Sequence, residues 1–191
     1  MIKAVIFDCF GVLTTDGWLP FKRKYFSHNP ELKAKATDLN KQTDAGLASY
    51  KDFAHGVAEL AHVPFAEAIK AIEHNVTDDE LLEYLAAELK PRYKLGVLSN
   101  AGADWLDKLF SPAQIALFDA VALSYETGFV KPDPRAYQAI AERLGVEASE
   151  CVFIDDQERY CTAAREQGMQ AIVYTSLERF KQDLPPLLSK A

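Results

Sequence analysis

Asp8 closes the short run Ala4-Val5-Ile6-Phe7 and stands three residues before Gly11, within the stretch KAVIFDCFGVL. The run is brief and rich in β-formers, which predicts a buried strand, and the glycine lets the backbone reverse just past the acid. A carboxylate delivered there is costly unless something uses it, so it reads as a nucleophile; a turn-forming aspartate carries the same local signature. Three later segments repeat the pattern. YKLGVLSN, residues 93–100, is an apolar run that stops on the hydroxyl of Ser99 and the amide of Asn100, groups suited to an anion at a strand end. GFVKPDP, residues 128–134, holds one cation, Lys131, in a proline-pinned loop between a strand expected over 120–124 and a helix capped by Asp133. CVFIDD, residues 151–156, ends on Asp155 and Asp156, whose mutual repulsion a proton or a cation such as magnesium would relieve. Taken singly, these segments are also an ordinary strand end, a helix start and an N-cap pair.

The elements needed to bring these groups together are those of a parallel α/β sheet, in which all strand C-termini share one edge. Asp8, Ser99, Lys131, Asp155 and Asp156 would then converge from four separate places in the chain. We therefore expect a Rossmann-like, doubly wound parallel sheet built from residues 1–14 and 90–191. Asp133 and Pro134 open a crossover helix that carries Tyr137, Ile140, Ala141 and Leu144 on one face and ends at Gly145; the next ends at Gly168, before a fifth strand over QAIVY, residues 170–174. The tail with Pro185 and Pro186 reads as a terminal helix or an extended arm. Residues 15–89, about 75 in number, show no convincing strand and are too many for a loop, which predicts a small helical cap. Ser49 with Asp52 starts one cap helix, Phe65, Ala68, Ile69 and Ile72 mark another, and Thr77 with Glu80 predicts a capping box for a last helix through Leu81, Leu82, Leu85 and Leu89.

Composition narrows the partners. A chain of 191 residues that is 49% hydrophobic can bury one good core with a modest second unit. A net charge of −7 argues against nucleic acid and against anionic membranes, so an anionic small substrate must be drawn by local cations. Met1 and Ile2 lead straight into the first strand, and no apolar stretch approaches the roughly 20 residues of a membrane span, so no signal peptide is expected and a cytoplasmic place is. Cys9, Cys151 and Cys161 are odd in number and lie beside core elements, which suits a reducing compartment; Cys9 is read as a small buried residue, with a redox-sensitive thiol as the alternative. His28, His55, His62 and His74 show no ligand spacing.

The four motifs Asp8 with Gly11, Ser99, Lys131, and the pair Asp155 and Asp156 resemble those of the haloacid dehalogenase-like superfamily, over about 150 residues of the chain. Around LSYETGFVKPDPRAYQAIAERLGV and CVFIDDQERYCTAAREQGMQAIVY the chain is similar to the branch containing sugar-phosphate phosphatases of the glucose-1-phosphatase type. The resemblance implies a cap of the helical type-one class that covers the site, and an in-line attack by Asp8 on phosphorus that forms an aspartyl-phosphate. It also implies magnesium held by Asp8, the carbonyl of Phe10, and Asp156 with or without Asp155. Lys131 would offset charge and orient Asp8, Ser99 would cradle the phosphate, and Phe10 would line the substrate's place. Asn100 is expected on the Asp8 loop or on the substrate, with an ordinary strand-end Asn as the alternative. The implied partner is a small phosphorylated metabolite, bound by a monomer or homodimer.

One position departs from the pattern. Phosphatases of this superfamily usually carry a second aspartate two residues after the nucleophile, as general acid and base, and here that residue is Phe10. A phenyl ring transfers no proton, and losing a positioned acid or base removes about 10²- to 10⁴-fold in rate. Three readings follow: a phosphatase using good leaving groups, or Asp16 or a cap residue as its acid; a dehalogenase, which carries a tyrosine there and needs no metal; or a weakly catalytic phospho-ligand sensor. The acid pair favours the first. Trp18, Phe21, Lys22, Arg23, Tyr25 and Phe26 are candidates to meet the leaving group, with packing of the cap and solvated charge as the alternative.

Overall fold

The computed structural model describes residues 1–102 and 105–188; Ala103, Asp104 and residues 189–191, all within the second expected core segment, lie outside the described residues. Strands β1 (Ala4–Phe7), β2 (Lys94–Ser99), β3 (Ala120–Leu123), β4 (Cys151–Asp155) and β5 (Gln170–Val173) form one sheet. Its order is β3-β2-β1-β4-β5 and every pairing is parallel, so the chain has the expected α/β, Rossmann-like core. The helices, in chain order, are α1 (Trp18–Phe26), α2 (Pro30–Asp44), α3 (Tyr50–Ala61), α4 (Phe65–Ile72), α5 (Asp79–Tyr84), α6 (Leu106–Leu109), α7 (Pro112–Ile115), α8 (Ser124–Thr127), α9 (Pro134–Leu144), α10 (Glu158–Glu166) and α11 (Leu177–Leu188).

Side chains alternate across the strands, so each face of the sheet needs its own cover. Ala4, Ile6, Leu98 and Phe153 pack on one side with Tyr137, Ile140 and Leu144 of α9 and Tyr160 and Ala164 of α10. Val5, Phe7, Val97, Val152 and Ile154 pack on the other with Phe180 and Leu184 of α11. Leu81 and Leu82 of α5, and Leu85 and Leu89 of the π-helical turn that follows it, join this second cluster. They belong to the sheet's core, not to the separate helical cluster formed by Phe21, Phe26, Ala36, Phe53, Val57, Ala68 and Ile72 of α1 to α4. Trp18 stacks on Phe21 and meets Phe53 edge-on within that cluster, which answers its need for burial without a ligand.

Local signals explain most boundaries. Ser49 and Asp52 form the expected capping box of α3, Asp133 caps α9, and Gly145 closes α9 in the left-handed region. The box expected from Thr77 and Glu80 does not form: Asp78 caps α5 by accepting from the Leu81 amide, while Thr77 bonds Asp79. A carboxylate at the cap satisfies the same orphan amide and adds favourable charge at the helix N-terminus. The tail is a helix, with Pro185 and Pro186 in its last turn.

The chain crosses between the sheet and the helical cluster twice, and the crossings are tied together. Thr14 bridges Thr77, the Thr15 amide donates to Val76 O at 2.8 Å, and the Asp78 amide donates to Leu13 O at 2.9 Å. Beside them, a Cβ added to Gly17 would overlap the carbonyl oxygens of Ile72 and Ala71, which cannot swing aside as a side chain would. Gly17→Ala is therefore expected to cost about 1–3 kcal/mol, read as a lower midpoint in urea unfolding.

Candidate active site

Asp8 is the first residue past the central strand. Phe7 lies in register with Val97 of β2 and Ile154 of β4, so the next residue falls between the ends of both neighbours, about 4.8 Å away on either side. Its amide donates to Ile154 O at 2.8 Å, and the loop beyond it folds back sharply, with the amides of Leu13 and Thr14 both donating to Cys9 O. Gly11 takes a φ of 89° in this turn, and a Cβ there would come within 2.8 Å of Asp156 Oδ2. Glycine at this position thus lets the nucleophile loop lie against the acid pair.

Asp8 Oδ1 accepts the Cys9 amide at 2.7 Å and lies 2.9 Å from Lys131 Nζ, which itself lies 2.7 Å from Asp155 Oδ2. All three side chains are essentially buried, so each needs the others: a lone charge in such a place would cost several kcal/mol. The second Asp155 oxygen accepts the Gln157 amide at 2.8 Å, which occupies both ends of that carboxylate. The Lys131 ammonium also sits over the rings of Tyr160 and Phe153, 5.0 and 5.4 Å from their centroids.

Asn100 pairs with the backbone of the Lys131 loop. Its Oδ1 accepts the Lys131 amide at 2.8 Å and its Nδ2 donates to the Lys131 carbonyl at 3.1 Å, so the side-chain amide pairs with the lysine backbone as a strand partner would. The Nδ2 group also lies 3.4 Å from the Tyr160 hydroxyl, so the side chain ties the Lys131 loop to α10. Ser99, the last residue of β2, is buried at 1% exposure, and its Oγ has no hydrogen-bond partner among the described residues. Asp156 is half-buried and its Oδ1 is likewise buried without a partner. Unsatisfied buried polar atoms are rare, and two of them at one sheet edge point to a ligand that accepts from the hydroxyl and donates to, or coordinates, the carboxylate. Oxygen atoms of Asp8, Asp155 and Asp156 lie within 4.8 Å of one another, an all-carboxylate set suited to a hard divalent cation.

The electrostatics agree with that donor set. Burial alone would strip Lys131 of its proton, but the charges of Asp8 and Asp155 outweigh it and hold the ammonium well above its ordinary range. Burial pushes the Asp8 carboxyl upward, with Asp155 adding to it, against the pull of Lys131 and the Cys9 amide. Burial and then the Asp155 charge raise Asp156 to about 6. Burial also raises the Cys9 thiol, with Asp8 adding to the shift, so this sulfur is an inert core atom rather than a thiolate.

Phe10 is half-buried and meets Trp105 edge-on, with ring centroids 5.2 Å apart, so the position usually given to an acid is an aromatic wall. Asp16 Oδ1 accepts the amides of Trp18 and Leu19 and thereby fixes the start of α1. Phe21 and Phe26 are buried inside the helical cluster, and Tyr25 donates to Glu67. Two residues at this edge of the sheet were not singled out in the sequence. Tyr160, whose ring flanks Lys131, sits one turn into the helix after the acid pair, and that spacing was a usable signal. Asp44 ends α2 far from any motif and has no local signal.

A model of the haloacid dehalogenase-like hydrolase family matches residues 2–168. A phosphatase of Mycobacterium tuberculosis (strain CDC 1551 / Oshkosh) is 46% identical over 82 residues, which is 41% of this chain and 37% of that protein, so the match spans little more than a third of the relative. YhcW of Bacillus subtilis (strain 168), named as a candidate phosphatase, is 25% identical over 185 residues, 91% of this chain and 83% of its own. The crystal structure of the enzyme bt-2542 from Bacteroides thetaiotaomicron, in complex with magnesium and inorganic phosphate, superposes with a TM-score of 0.73 at 26% identity, covering 98% of this chain and 99% of that one.

Proposed function

Since the chain belongs to the haloacid dehalogenase-like hydrolases, we propose that it is a magnesium-dependent phosphatase of a small phosphorylated metabolite, with Asp8 as the phosphoryl acceptor. One observation carries this reading: the buried Asp8–Lys131–Asp155 array opens onto two unpartnered polar atoms, Ser99 Oγ and Asp156 Oδ1. The phosphatase names of two relatives and the magnesium and phosphate bound by bt-2542 support it.

Asp8 attacks the phosphorus in line, the bond to the leaving oxygen breaks, and water later hydrolyses the aspartyl-phosphate. Lys131 holds the attacking carboxylate in place and offers a fixed positive charge beside the transferring group. Asp155 anchors Lys131, and Asn100 sets the backbone that carries it. Ser99 donates its hydroxyl to a phosphoryl oxygen. Asp8, Asp156 and the carbonyl of Phe10 would hold magnesium, with Asp155 close by; when bound, the ion offsets negative charge on the phosphoryl oxygens. The helical unit of α1 to α4 caps this edge and limits water.

Magnesium bound by folded protein alone stabilises it. At a hundred times its dissociation constant the gain is about 2.7 kcal/mol, a rise in thermal midpoint of about 5 to 10 °C for a chain of this size. Asp156→Asn is expected to remove most of that rise. The functional test is release of p-nitrophenol from p-nitrophenyl phosphate with magnesium and with a chelator; turnover that ignores the chelator sinks the reading. Phe10 favours a dehalogenase as the second reading, and metal-free release of chloride from 2-chloropropionate would select it. Binding of a phosphorylated ligand without turnover would select a sensor.

A further inference from the structure

Phe10 leaves the proposed phosphatase without its usual acid and base, and one carboxyl group on the helical side is placed to supply both. Asp44 is the last residue of α2. The end of that helix is fastened to the loop that follows Ser99 and Asn100: Ser124 Oγ, from the first residue of α8, donates to Asp44 O at 2.5 Å and accepts the Ala101 amide at 2.9 Å. Next to it, the buried Thr43 lies so close to Gly102 that a Cβ there would overlap Thr43 Cγ2. Asn40, one turn back on α2, donates Nδ2 to Asp44 Oδ2 at 2.8 Å and holds the carboxyl in one orientation.

Two charges act on the Asp44 carboxyl through space: Lys131, itself 2.9 Å from Asp8, favours its anion, and Asp16 disfavours it. Resting on the phosphatase reading, we propose that Asp44 gives a proton to the leaving group and then takes one from the attacking water. As the Asp8 oxygen bonds to phosphorus and the bond from phosphorus to the substrate oxygen breaks, the Asp44 proton passes to that oxygen and an alcohol leaves. Water then attacks the aspartyl-phosphate, its proton returns to Asp44, and cleavage of the bond between phosphorus and Asp8 releases inorganic phosphate. Every atom and proton is restored.

Burial raises the Asp44 carboxyl to about 7, against the opposing pull of Lys131, so near neutral pH it holds a proton part of the time and takes one back readily. Asp16 is the weaker candidate: burial raises its carboxyl too, but two backbone amides already bind its Oδ1 at the start of α1 and oppose that rise.

The test is Asp44→Asn, which keeps the oxygen that accepts from Asn40. A phosphate ester of an alkyl alcohol, such as glycerol 2-phosphate, needs protonation to leave and is expected to lose about 10²-fold or more in kcat. The p-nitrophenyl ester leaves without help, so the variant is expected to release one equivalent in a burst and then stall on the phosphorylated enzyme. Wild-type turnover of the alkyl ester is expected to fall as pH rises through about 7, as Asp44 loses its proton. Adding Phe10→Asp to the variant is expected to recover at least tenfold of alkyl-ester turnover. Unchanged alkyl-ester turnover, or an equal loss for both esters with no burst and no recovery, overturns the role of Asp44. A wild-type protein that hydrolyses neither ester with magnesium overturns the phosphatase reading itself, and this role with it.

Discussion

Asp8→Asn is expected to leave a folded protein whose magnesium-dependent hydrolysis of p-nitrophenyl phosphate is at least about 10⁴-fold slower, because the residue that would bond to phosphorus becomes a poor nucleophile. The substitution is nearly isosteric, and the amide oxygen still accepts from the Cys9 amide. Lys131 keeps its pairing with Asp155 at 2.7 Å, so its charge is not stranded. Loss of activity should therefore come with only a modest change in thermal midpoint. The measurement is initial rate against midpoint on the same preparation. A variant that kept more than about a hundredth of wild-type rate would show that Asp8 does not form the bond to phosphorus.

The expectation for Asp8 was legible in the sequence because each strand is short, apolar and stops on its chemical group. In a sheet buried on both faces the strands read as unbroken hydrophobic runs, so the first polar residue marks the edge. That is why Asp8, Ser99 and Asp155 could be located from the sequence, and the parallel register then brings them level with one another. The role of Asn100 was less legible. An amide at a strand end looks the same whether it faces a ligand or a neighbouring backbone, and its pairing with the Lys131 loop depends on a segment thirty-one residues away.

The helical unit was harder still. α2 spans fifteen residues, yet among its side chains only Ala36 and Thr43 are buried, so its sequence PELKAKATDLNKQTD gives almost no apolar stripe to read. In the structure Asn29 caps its start and Pro30 stands in its first turn. The length of the segment could predict helices but could not say which end of which helix meets the sheet edge. Asp44 became visible only through what surrounds it in space: Ser124 opens α8, eighty residues away in sequence, and the charge of Lys131 acts on it from a loop beyond that.

Lys131→Met tests the other half of the site through stability. Methionine fills much of the same space but leaves Asp8 and Asp155 facing each other with no cation between them. Removing one partner from a buried charge cluster costs about 3–5 kcal/mol, and activity is expected to fall with it through the loss of the group that orients Asp8. The pH dependence separates this from simple loss of packing. In the wild type Lys131 is charged both folded and unfolded across the neutral range, since its pairing raises a pKa that is already high, so it adds no slope there. In the variant the paired carboxylates share a proton when folded and lose it when unfolded. The folded state then binds more protons than the unfolded one above the ordinary aspartate range, and stability falls as pH rises, by about 1.4 kcal/mol per unit for one proton. Urea midpoints with a chelator present are thus expected to converge on wild type near pH 5 and to separate by pH 8. A constant deficit at both pH values would mean that the lysine matters for packing and not for charge.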